Sequence, residues 1–114
     1  GVVYGIGRID SSGRVADRTI TCALGWRSGE RLTLTADAGV VIARRDPGGM
    51  VTLPAKPYIV IPAGLRRRCG LRTGDRVLLA ALPPQDTLAA YPFAVVDQAI
   101  RAHGALPPTG GGQP

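Results

Sequence analysis

Three consecutive arginines, Arg66, Arg67 and Arg68, stand in the stretch IPAGLRRRCGLRTGD between two apolar runs. Like charges within one short helical turn repel one another, so stability alone does not favour such a cluster, and a negative partner is expected there. The guanidinium fork suits phosphate, which it can grip through two parallel N–H···O bonds. Thirteen of the 14 basic residues are arginine and only Lys56 is lysine. A coding sequence rich in G and C accounts for that ratio more simply, so the positions of the arginines carry the inference and their number does not. The alternative for Arg66–Arg68 is a solvated helix face whose aliphatic stems cover the protein surface.

Other chemistry finds few residues. His103 is the single histidine, and Ser11 and Ser12 lie in a turn far from it in sequence, so no Ser–His arrangement is offered. Gly5-Ile6-Gly7 lacks the third glycine and the following helix of a dinucleotide loop. Cys22 and Cys69 form neither a CxxC pair nor a disulfide framework, and with one histidine a zinc site lacks ligands. The carboxylates are scattered. These observations argue against an enzyme, a metal or a cofactor, and His103 at a helix end suits the macrodipole without further function. The formal charge of +6 makes polyanions, nucleic acid first, the default partner class. No run of 18 apolar residues exists, so the expectation is a soluble, cytoplasmic protein with no membrane partner.

The arginines must be held by something, and an internal repeat supplies it. LGWRSGERLTL (24–34) above CGLRTGDRVLL (69–79) gives five identities in 11 positions: Gly25/Gly70, Arg27/Arg72, Gly29/Gly74, Arg31/Arg76 and Leu34/Leu79. Trp26/Leu71, Ser28/Thr73, Glu30/Asp75 and Leu32/Val77 keep their chemical type. Upstream, a one-residue gap pairs Val15 with Ile59 and Ala16 with Val60. The first unit (1–45) reads as a strand at 2–9, a turn at Asp10-Ser11-Ser12-Gly13, a short strand at 14–16, a helix near 17–24 closed by Gly25, and strands at 31–36 and 40–45. After a turn or linker at 46–49, the second unit (50–91) repeats the order with strands at 50–55 and 58–62, a helical turn at 63–69, and strands at 76–82 and 87–91. A C-terminal helix follows within 92–104, with Pro92 at its start and Gly104 at its end, and 105–114 reads as a loose tail. Trp26, aligned with Leu71, is expected in the core, and Tyr58 as half-buried strand packing.

Residues 61–75 resemble the x-I-P-x-x-L-R-x-x-L-G-I-x-x-G-D pattern of the AbrB/SpoVT/MazE-type DNA-binding domains of bacteria and archaea, with Cys69 replacing the apolar residue before Gly70. Residues 8–34 resemble the family's opening, a basic residue and an acidic turn followed by Gly-Arg-Val, although Asp17-Arg18 replaces Ile-Pro. The resemblance implies a mainly β fold with short helices. Specifically, two ββαββ repeats in one chain would form a small swapped-hairpin, cradle-loop β-barrel, a pseudo-dimer with an added C-terminal helix. It also implies a transcriptional regulator that binds double-stranded DNA through Arg8, Arg14, Arg18, Arg66, Arg67 and Arg68. The first unit keeps Arg8 and Arg14 but has Thr21, Cys22 and Ala23 where helix arginines belong; the second has the helix arginines but Tyr58 opposite Arg14. The alternatives are a toxin-binding antitoxin or a protein-interaction module on the same barrel, with self-association of pseudo-dimers or a protein partner on the C-terminal helix. Arg27/Arg72 and Arg31/Arg76 are more simply read as structural, pairing with Glu30 and Asp75.

Overall fold

The computed structural model describes residues 1–56 and 58–104, so the expected tail at 105–114 lies outside the described residues. The chain is mainly β with three short helices: β1 (Val3–Arg8), β2 (Arg14–Ala16), α1 (Arg18–Leu24), β3 (Arg31–Asp37), β4 (Val40–Arg45), β5 (Val51–Thr52), β6 (Tyr58–Val60), α2 (Ala63–Arg68), β7 (Arg76–Leu82), β8 (Thr87–Pro92) and α3 (Phe93–His103). No helix among these is long and apolar enough to cross a membrane.

Local sequence explains most boundaries. Asp17 caps α1 by accepting the Ile20 amide at 3.0 Å, and Gly25, at φ 68°, ends it in the left-handed region. The two repeated turns close alike. Gly29 and Gly74 have φ 88° and 90°, and the carboxylates of Glu30 and Asp75 accept the backbone amides of Arg27 and Arg72 at 2.7 and 2.9 Å. The acids therefore serve the turn backbone, and Glu30 pairs with the side chain of Arg45 at 2.9 Å; this replaces the expected partnership with the flanking arginines.

Six strands form one antiparallel sheet in the order β1-β7-β8-β4-β3-β5, while β2 and β6 form a separate two-stranded ribbon. Pairings β1–β7, β2–β6, β3–β5 and β4–β8 each join a strand before residue 46 to one after it. The expected closed barrel is not formed: among the described residues the sheet stays open, with β1 and β5 at its edges. The expected strand at 50–55 shrinks to two residues because Pro54 has no amide to donate, and the three-residue β2 and β6 pair only with each other.

Alternation sorts the sheet into two faces. The inner face buries Leu32, Val41, Ala43, Val77, Leu79, Leu88 and Ala90 against α1 and the ribbon, with Ile9, Val15, Ile20, Trp26, Ile59 and Ile61 completing the core. Gly5 and Gly7 lie on this face, where a Cβ would run into Asp17 and Ile20, or into Val15. Their lack of a side chain lets α1 and β2 approach β1, which accounts for the Gly-Ile-Gly pair. On the outer face α3 covers a smaller cluster of Val40, Ala80 and Ala89, joined by Ile42, Tyr91 and Val95. Trp26 is buried, and its indole N–H donates to Asp86 Oδ1 at 2.8 Å.

Candidate nucleic-acid interface

Arg14 opens β2, immediately after a tight turn in which Gly13 takes φ 76°. Asp10 organises that turn. Its Oδ1 accepts the amides of Ser12 and Arg14 at 2.9 and 2.8 Å, and its Oδ2 accepts Arg14 Nε at 2.7 Å. The Arg14 backbone amide, aided by the guanidinium against a smaller opposing effect of burial, holds the Asp10 carboxyl below the usual carboxylate range. Across the ribbon, Tyr58 receives Arg14 twice: Nη1 donates to the phenol oxygen at 3.3 Å, and Cζ lies 4.8 Å from the ring centroid. Arg14 is thus fixed in direction by three groups while remaining partly exposed.

Arg66 reaches the same turn from α2. Its Nε donates to the Ile61 carbonyl at 2.9 Å, and its guanidinium lies against Gly13, where any Cβ would collide with it. The Ile61 amide in turn donates to the Gly13 carbonyl at 2.9 Å. Arg66 is therefore a half-buried brace between α2 and the β1–β2 turn as well as a positive charge. Arg67 and Arg68 are exposed on the outer side of α2, and neither takes part in an ion pair among the described residues.

Arg8 and Arg14 share a recess of about 280 Å³ with Asp10, Ala16, Tyr58 and Lys56. Arg18, the first residue of α1, borders an adjoining recess of about 420 Å³ that also includes Arg27 and, again, Lys56. The two recesses meet at Lys56, and Gly13 links the first to Arg66, so a connected basic band runs from Arg27 and Arg18 through Lys56, Arg8 and Arg14 to α2. Asp10 is the one carboxylate lining either recess, and it is occupied by Arg14.

The structure brings Arg8, Arg14 and Arg66 close through one turn, places Arg18 next door, and leaves Arg67 and Arg68 on the helix beyond. Sequence reasoning missed Lys56 and Arg27. Lys56 aligns with Ser12, so the repeat pointed away from it; its being the single lysine beside a proline-bounded strand end was the available signal. Arg27 was read only as turn structure. In comparisons with known proteins, the sequence matched no family model and no curated protein.

Proposed function

We propose that this chain binds double-stranded DNA as a single-chain pseudo-dimer of AbrB-like repeats and acts as a transcriptional regulator. The connected basic band is the observation that carries this reading: side chains from β1, β2, α1 and the segment before β6 converge, with one carboxylate among them. Such a surface acts mainly by neutralising phosphates and releasing counterions, with a few arginines or the shape of the groove supplying sequence preference. Fixing Arg14 by Asp10 and Tyr58 lowers the ordering cost of presenting it to a phosphate or base edge.

The pseudo-dimer part is supported by topology. Exchanging β1 with β5, β2 with β6, β3 with β7 and β4 with β8 turns the sheet order into its own reverse. The alike closing of the Gly29 and Gly74 turns agrees with that exchange. The interaction-module alternative draws on a different surface, the flank of α3.

Titration of a labelled duplex across a salt series tests the DNA reading. With four to six phosphate contacts, log K should fall against log salt with a slope on the order of −4 to −5. Arg8→Ala and Lys56→Ala, both at exposed side chains, should each reduce that slope by about one. Absence of binding by folded protein at low salt would sink the proposal.

A further inference from the structure

The two edges of the six-stranded sheet differ in kind. β5 spans two residues, and Pro54 close behind it has no amide to offer, so that edge is protected against further pairing. β1, its counterpart under the exchange of halves, runs for six residues in unbroken register with β7, without a proline and with one charge, Arg8, at its end. Tyr4 and Ile6 of this edge are 64% and 58% exposed.

The backbone of β1 is open on the side away from β7. One step beyond the Arg8–Arg76 pair, the Ile9 amide donates to the Asp75 carbonyl at 2.8 Å. Bonded and non-bonded pairs alternate along an antiparallel ladder, so Gly7, Gly5 and Val3 exchange their bonds with β7. Pro92 opposite Val77 on β8 agrees with this phase, because Val77 then turns its own backbone groups to β1. The amides and carbonyls of Tyr4, Ile6 and Arg8 therefore point outward, and among the described residues no bond from a turn, loop or cap reaches them. Val15 and Asp17 approach β1 from the inner side, at Gly7 and Gly5, and β2 forms no ladder with it.

The side chains select the occupant. Across β7, Arg8 meets the like charge of Arg76, an unfavourable pair. Arg76 finds the Phe93 ring at 5.7 Å, whereas Arg8 has neither an ion pair nor a ring of its own chain among the described residues. A second β1 laid antiparallel along the first, with the two-fold axis at Ile6, supplies that ring: Tyr4 of each copy stands opposite Arg8 of the other, and Ile6 opposite Ile6. Each of these pairs uses the outward backbone groups, and each Arg8–Tyr4 pair is a cation–π contact. An axis at Arg8 would oppose two arginines, and an axis at Tyr4 or Gly5 would leave Arg8 without the ring.

We propose that β1 is an interface for a second copy of this chain, which pairs with it antiparallel about a two-fold axis at Ile6 and joins the two sheets into one. Because β5 is protected, each molecule has a single edge to offer, and association stops at a closed dimer rather than running on as a fibre. The inference does not depend on DNA binding.

Sedimentation equilibrium of the intact protein, at micromolar to submillimolar concentration, is the test. The 11.8 kDa chain should reach twice its mass. Ile6→Lys and Ile6→Glu each place like charges opposite one another at the axis, so each variant alone should sediment as a monomer while keeping the native circular-dichroism spectrum. Mixed in equal amounts, the two should recover the dimer as a Lys–Glu pair, a rescue that misfolding cannot imitate. The proposal is overturned by a native protein that stays monomeric, by a dimer that persists in Ile6→Lys, or by variants that remain monomeric when mixed.

Discussion

At the scale of single residues, the β1–β2 turn is where structure and charge are hardest to separate. Gly13 needs its left-handed φ of 76° and the space that Arg66 occupies. Gly13→Ala should therefore destabilise the fold by about 1–2 kcal/mol, measured by urea denaturation. Arg66→Ala loses its bond to the Ile61 carbonyl as well as a charge, so its effect on DNA affinity should come with a stability loss of about 1 kcal/mol. Arg8→Ala and Lys56→Ala should show no such loss, and that contrast separates bracing from binding.

The acids that organise turns predict a pH response of definite sign. Asp10 is held low chiefly by the Arg14 amide, Glu30 chiefly by the Arg27 amide, and Asp46 chiefly by the Thr33 hydroxyl. A carboxyl whose folded pKa lies below its unfolded value of about 4 contributes stability that is complete above that value and is lost as pH falls through the folded pKa. Denaturation midpoints should hold steady from neutral pH to about 5 and decline below about 4. Asp10→Asn should flatten part of that decline.

At the scale of elements, α1 was legible because its signals are local. The Asp17 cap and Gly25 stop lie within the helix's own neighbourhood, and the structure places the helix at Arg18–Leu24 against an expected 17–24. Asp17→Ala should lower stability by about 1 kcal/mol through loss of the cap. The β3–β4 hairpin was equally readable from Asp37-Ala38-Gly39, although Ala38 sits at φ 52°, where asparagine is more at ease. Ala38→Asn should raise the melting temperature by a few degrees, equivalent to about 0.5 kcal/mol. The basic recesses were less legible. Their walls come from β1, β2, α1 and the chain around Lys56, and the last is brought to the others by the β2–β6 pairing between residues more than 40 positions apart. No local pattern announces Lys56 as the shared wall.

At the scale of the whole molecule, four strand pairings connect the two halves. The repeat in the sequence led to the expectation of a closed barrel, whereas among the described residues the sheet stays open and its edge strand β5 has only two residues ahead of Pro54, a shortening that aligned side-chain types do not reveal. Neither half has the sheet neighbours it needs within itself. Fragments 1–47 and 48–114 should each lack the native circular-dichroism spectrum and regain it when mixed at equal concentration. A half that folds alone as a monomer would contradict this interdependence.

The bond between Trp26 and Asp86 joins those halves, and Trp26 is the single tryptophan of the chain. An indole buried against the opposite half is an optical reporter already in place. Its emission should be blue-shifted while the halves are docked and move towards the red when they part, with Tyr4, Tyr58 and Tyr91 contributing little at long excitation wavelengths. Separation of the halves can thus be followed in the unlabelled protein, at the same concentrations at which DNA is added.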